Sequence, residues 1–153
     1  MSTKGYPPYS EIAKKALGRV GQNQARINAT LDEIEHIHAL RTKITSTLKE
    51  CTSGGGGTDD RRADATVRLM ELEVRLKRQV ESYAQLTEVT ISTINWLRSD
   101  TQREVMYRRY ILSKTFPKIA EELGMDVDSI YHIHGRALRN IGKMLTEHPT
   151  KQD

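Results

Sequence analysis

The chain has 153 residues, of which 37% are hydrophobic and 29% charged, with one Phe, one Trp and a formal net charge of +4. That length holds one or two small units, and so few bulky apolar residues suit long helices burying a narrow stripe better than a broad globular core. The modest charge excludes a uniformly basic coat, so any nucleic-acid affinity has to come from a local patch.

In chain order, residues 1–8 read as an irregular arm, because Pro7-Pro8 blocks a helix there. Ser10 can cap a helix from Glu11, with Ile12, Ala16, Leu17 and Val20 on one side and a break near Gly21. A second helix is expected from Gln22 to about Glu50. Its apolar positions, Ile27, Leu31, Ile34, Ile37, Ile44 and Leu48, imply a face that needs a partner. The stretch 53–60 carries four consecutive glycines and reads as a flexible linker. A third helix is expected over about 62–98. Leu69, Leu72, Leu76, Val80, Tyr83, Leu86, Thr90, Ile94 and Leu97 follow at threes and fours, the coiled-coil period of about 3.5. It would be roughly 50 Å long. Two such helices joined by a short loop should fold back as an antiparallel hairpin, or pair between chains. Because one partner leaves apolar surface over, self-association as a homodimer or higher homo-oligomer is expected. Trp96 is expected to act as a hinge and to pack on Tyr107 or Tyr110.

The final third has the punctuation of three shorter helices. Asp100 or Thr101 can cap the first, with Glu104 in capping-box position from Thr101. It should run from Arg103 to Leu112, face Val105, Met106, Tyr110 and Leu112 inward, and end at Ser113-Lys114. Thr115 can cap the next, with Pro117 in its first turn and Gly124 at its left-handed end. Met125 can plug the turn and Asp126 can cap the last helix. There Ile130, Ile133, Ala137 or Leu138, and Ile141 form one apolar stripe. A short helix, a tight glycine turn and a longer helix in that order are the layout of a DNA-reading helix-turn-helix, whose second helix enters the major groove by its N-terminal residues. Off the stripe, Ser129, Tyr131 and His132 sit where base-edge readers belong. Arg136 and Arg139 suit phosphates or a guanine edge. Lys114, Thr115 and Lys118 open the shorter helix, where phosphate is attracted. Gly135 in mid-helix costs about 1 kcal/mol relative to Ala, which points to a packing or contact reason. Residues 146–153 read as a loose tail.

Other chemistries find little support. Cys51 is the single cysteine, which excludes an internal disulfide and a multi-cysteine metal site and fits a reducing compartment. His36 and His38, like His132 and His134, are two apart on helices and point about 200° away from each other, so neither pair can chelate one ion. His134 reads as a packing residue. The glycine run lacks the Lys-Ser/Thr and the preceding strand of a P-loop. No nucleophile-elbow glycines surround a Ser, so no enzyme, cofactor or metal is expected. No apolar run approaches the ~18 residues of a membrane span, and the opening residues do not read as a signal peptide, so a cytoplasmic location is expected.

The segment YRRYILSKTFPKIAEELGMDVDSIYHIHGRALRNI resembles region four of sigma-70-type factors. It is still more similar to a phage-encoded family of unknown function that closes on such a helix-turn-helix, related in layout to late-gene activators of the ArpU and RinA kind. Tyr110, Ile119, Ala120, Leu123, Gly124, Ile130 and the run His134-Gly135-Arg136-Ala137-Leu138 carry the likeness. Phe116-Pro117 and Asp126 depart from the family's aromatic-acidic pair and Ser cap, but keep the capping chemistry. The first long helix resembles that family's opening helix, so the likeness spans roughly residues 22–145. It implies an all-α chain of three parts: an N-terminal arm and short helix (1–21), a helical hairpin or coiled coil (22–98), and a sigma-70 region 4-like helix-turn-helix (99–148). The function it implies is a phage or prophage transcription regulator in a bacterial host's cytoplasm, with double-stranded DNA and RNA polymerase as partners. A small-terminase-like packaging subunit and a coiled-coil protein-interaction module are the competing readings.

Overall fold

The computed structural model describes residues 8–50 and 57–148, and within them the chain is all helix, with no strand. The elements are α1 (Tyr9–Leu17), α2 (Arg19–Glu50), α3 (Gly57–Asn95), α4 (Asp100–Tyr110), α5 (Phe116–Leu123) and α6 (Val127–Glu147). They form two compact units, one of Asn23–Tyr83 and one of Met1–Gln22 with Ala84–Asp153.

In the unit Asn23–Tyr83, α2 and α3 run antiparallel. Asn23 Nδ2 donates to Ser82 Oγ (3.3 Å), Thr30 Oγ1 to Gln79 Oε1 (2.8 Å) and Arg62 to Thr45 Oγ1 (3.5 Å), so rising numbers on one helix meet falling numbers on the other. Glu33 receives both Arg68 and Arg75, the latter at 3.5 Å. The buried seam is narrow: Leu69, Leu72 and Thr30 are closed off, while Ile27, Ile34, Ile37, Ile44 and Leu76 are only half-buried. The linker expected over 53–60 is shorter at its far end. Residues 57–60 form the first turn of α3, where Asp59 and Asp60 complement the helix dipole. The stretch 51–56 lies outside the described residues.

The other unit is built around α6. One core joins Ala13 and Leu17 of α1, Ile94 and Leu97 from the end of α3, Met106 of α4, and Ala137, Leu138 and Ile141 of α6. A second joins Val105, Ile119, Ala120 and Ile130, with Phe116, Leu123, Met125, Val127 and Ile133 packed against it. The helix α1 lies so close on α6 that a Cβ at Gly142 would stand 1.9 Å from the carbonyl oxygen of Tyr9. Its buried residues are Ala13 and Leu17, continued by Val20 at the start of α2, and the bulkier Ile12, expected inward, is exposed. The chain breaks at Gly18, between α1 and α2, and Gly21 lies within α2.

Three further expectations change near α4. Its cap is Ser99, whose side chain accepts from the Gln102 amide at 3.3 Å, so neither Asp100 nor Thr101 caps it. Leu112, expected inward, lies beyond the helix and is exposed, and Ser113 turns the chain with φ 53°. Trp96 is exposed and makes no ring contact with Tyr107 or Tyr110 among the described residues. It lines an open cleft with Ser99, Gln102, Lys143 and Met144 instead.

Candidate nucleic-acid interface

Between α5 and α6 the chain turns in three residues. Gly124 takes the left-handed conformation (φ 63°, ψ 36°), where a side chain would be strained, and its amide closes back on Ala120 and Glu121. Asp126 then caps α6: Oδ1 accepts from the Ser129 amide at 2.9 Å and Oδ2 from the Ser129 hydroxyl at 2.6 Å. These bonds from Ser129 hold the Asp126 carboxyl below the usual carboxylate range.

From this start α6 divides cleanly. Ile130, His134, Ala137, Leu138, Ile141 and Gly142 are buried. At 100° per residue the opposite side carries Asp128, His132, Arg136, Arg139 and Lys143, with Tyr131 and Gly135 on one flank. All of these are exposed except the half-buried Gly135. Arg136 and Arg139 make no ion pair or hydrogen bond among the described residues, and nothing stands within 4 Å of a Cβ built at Gly135. Three of the expected readers, His132, Arg136 and Arg139, therefore share one uncovered face, and Tyr131 lies on its flank, exposed but with its ring against Phe116. Ser129 sits at its edge, with its hydroxyl committed to the cap.

The start of α5 is arranged differently. Thr115 occupies the cap position, but its side chain makes no capping bond. Lys114 Nζ is gripped by both oxygens of Glu122 (2.7 and 2.8 Å), and Arg108 reaches the same carboxylate at 2.6 Å. Glu122 is held below its ordinary pKa, by the Lys114 bond first and by both cations together. Lys118 pairs with Glu121 at 2.9 Å in the open. A phosphate at either lysine would have to compete with a carboxylate, at modest cost for these solvent-facing pairs.

Beside this exposed face lies an aromatic cluster that sequence spacing does not disclose. The Phe116 ring meets Tyr131 at 4.6 Å and His134 edge-on at 4.9 Å, and Arg109 lies 4.4 Å over its centroid. Arg109 also donates to the Lys114 carbonyl at 3.0 Å, which fixes the α4–α5 turn. His134 Nε2 and the Tyr110 hydroxyl share a 2.9 Å hydrogen bond. Burial, reinforced by the positive charges of Arg109 and Lys14, pushes the His134 pKa down to about 4, so the imidazole is neutral at physiological pH. Burial raises the Tyr110 hydroxyl. A groove of about 430 Å³ runs along this cluster, from Ser10 and Lys14 of α1 past Arg109 to Tyr131 and Gly135. Lys14 and Arg109 are thus cations near the exposed face of α6 that the linear pattern does not single out. The nearest local signal is Gly142, a glycine set within an apolar helical stripe.

Among the described residues no group of three His, Cys, Asp or Glu side chains could hold a metal ion. No helix there is long and apolar enough to cross a membrane. Comparison with protein-family models, with curated proteins and with solved structures finds no match.

Proposed function

We propose that α4, α5 and α6 form a sigma-70 region 4-like helix-turn-helix and that the chain is a non-enzymatic, sequence-specific DNA-binding regulator of transcription, of the phage or prophage kind its C-terminal sequence resembles. The observation that carries this reading is the uncovered face of α6. Two arginines without acidic partners, an exposed His132 and Tyr131, and an open Gly135 lie together on the helix that follows a left-handed glycine turn. Such a helix fits a groove about 12 Å wide. Tyr131 and His132 would read base edges, Arg136 and Arg139 would take phosphates or a guanine edge, and Lys114, Thr115, Lys118 and Ser129 would flank the backbone. RNA polymerase is a second proposed partner, on the sigma resemblance alone.

The deciding experiment selects bound fragments from the source genome at two salt concentrations. Enrichment of a defined site at both is the expected result. Binding that follows salt with no preferred site would remove the regulator. Arg136→Ala and Arg139→Ala should each weaken binding and, where the contact is to phosphate, lower the salt slope by about one.

The narrow seam of the α2–α3 hairpin favours self-association through the long helices, which would set two reading heads on repeated half-sites. A ring well above a dimer, seen by light scattering, would shift the reading to a small-terminase-like packaging subunit. Unchanged function in the Arg136→Ala/Arg139→Ala double variant would shift it to a protein-interaction module.

A further inference from the structure

We propose that the outer face of α3, formed by Ala63, Val67, Met70 and Val74, is the contact surface for a second copy of this chain laid antiparallel on the first. The helix is apolar on two opposite sides. Leu69, Leu72 and Leu76 face α2, whereas Val67, Met70 and Val74 lie about 180° away and are 55%, 61% and 53% exposed. Steps of four, three and four keep the outer stripe on one line, the spacing of a helix–helix seam. The single intramolecular partner in this unit is spent on the other side, so the stripe needs an occupant from outside.

The charges along the stripe select that occupant. Asp60 and Asp64 flank its N-terminal end, and Lys77 and Arg78 its C-terminal end. None of the four has an ion-pair partner among the described residues. With the two-fold axis beside Met70, an antiparallel copy brings both Asp60 and Asp64 within a turn of Arg78 on the same side of the seam, twice over by symmetry. A parallel copy would set each of these charges on its own like. Glu71, beside the axis, is held by Arg68 of its own chain at 3.4 Å. The surface is thus self-complementary in one orientation only. From Asp60 to Arg78 it is about 27 Å long, the low end of stable interfaces, so the dimer dissociates on dilution.

The proposal rests on self-association through the long helices but not on DNA contact. It is tested by sedimentation velocity on the full chain over a wide concentration range. The wild-type mass should rise from one chain to two. Met70→Asp should keep the far-UV helical signal, since its side chain is mostly exposed, and stay at one chain throughout. Asp64→Lys should weaken the dimer by roughly tenfold, and adding Arg78→Asp should restore it. A wild-type chain that is monomeric at every concentration would overturn self-association and this face together. A dimer indifferent to Met70→Asp would overturn the face alone, and a double charge reversal that fails to restore association would overturn the antiparallel orientation.

Discussion

Replacing Gly135 with Ala should make the protein more stable and a poorer DNA binder, and these opposite signs separate a contact residue from a packing residue. Gly135 lies in the interior of α6, half-buried, beside Tyr131 on the groove. A Cβ there would meet nothing within 4 Å, and its φ is not in the left-handed range, so the change adds no strain. What remains is the backbone entropy that glycine loses in a helix, about 1 kcal/mol relative to Ala. For a chain of this size that corresponds to a rise in Tm of about 2–4 °C. On the DNA-binding reading, the missing side chain is what lets a phosphate or base edge approach the helix backbone. A methyl group there should weaken binding by roughly tenfold, the equivalent of ~1.4 kcal/mol. Thermal melts and titrations with a selected DNA fragment, made on one preparation, read both effects. A lower Tm would mean that something packs on Gly135 and that the open space is filled in solution. A higher Tm with unchanged affinity would mean that nucleic acid does not approach the helix there.

Gly142→Ala is the converse. Its Cβ would stand 1.9 Å from the Tyr9 carbonyl oxygen, so α1 must shift or detach. A loss of about 1–3 kcal/mol is expected, as for overpacking elsewhere, with faster amide exchange in α1 than in α5; unchanged exchange in α1 would refute its docking on α6. His134 makes stability depend on pH. Its folded pKa of about 4 lies below the unfolded value of 6.5, so the unfolded chain takes up the proton first. The contribution is therefore complete above about pH 6.5 and is lost as pH falls towards 4. Its ceiling is ~3 kcal/mol, reduced because the ring edge lines a groove that water enters. Urea midpoints at neutral and mildly acid pH should fall in the wild type and flatten in His134→Gln; an equal fall in both would assign the effect to other groups.

Which features sequence discloses follows from how local their causes are. The left-handed Gly124, the Asp126 cap, Pro117 in a first turn and the inward stripe of α6 depend on residues within a turn of each other, and all are found in the structure. The cap of α4 is a local question too, but Ser99, Asp100 and Thr101 are three adjacent residues of capping type, and local chemistry does not choose between them. Packing of α1 is decided elsewhere. Ala13 rather than Ile12 faces inward because the approach to Gly142 leaves room for a small side chain, and that neighbour is more than a hundred residues away. The binding of Lys114 by Glu122 likewise depends on how α5 packs beside α4, whose Arg108 holds the same carboxylate, and it alters the reading of a lysine that in sequence looks free. The aromatic cluster around Phe116 draws on three helices and has no linear signature.

The charges of α6 are the feature least well explained by folding alone. Five basic side chains elsewhere in this chain find a carboxylate one helical turn away: Lys14 with Glu11, Arg68 with Glu71, Arg103 with Asp100, Arg108 with Glu104 and Lys118 with Glu121. Such pairs each contribute a few tenths of a kcal/mol to a helix, and like charges at the same spacing cost as much. Arg136 and Arg139 are three apart, Lys143 follows four later, and no acid stands a turn before or after either arginine. Only Lys143 has a partner, Glu147 at 3.9 Å. The helix therefore carries a row of cations that slightly destabilises the free protein, on the side its own core leaves open. Added salt screens that repulsion, so the free chain should melt no lower as ionic strength rises, whereas binding to a polyanion should weaken steeply. A protein that bound nothing negative would gain from an acid at position 132, one turn before Arg136. Placing one there, as His132→Glu, should raise stability and reduce DNA binding together, and a variant that gained stability while binding as before would show that these cations face nothing but water.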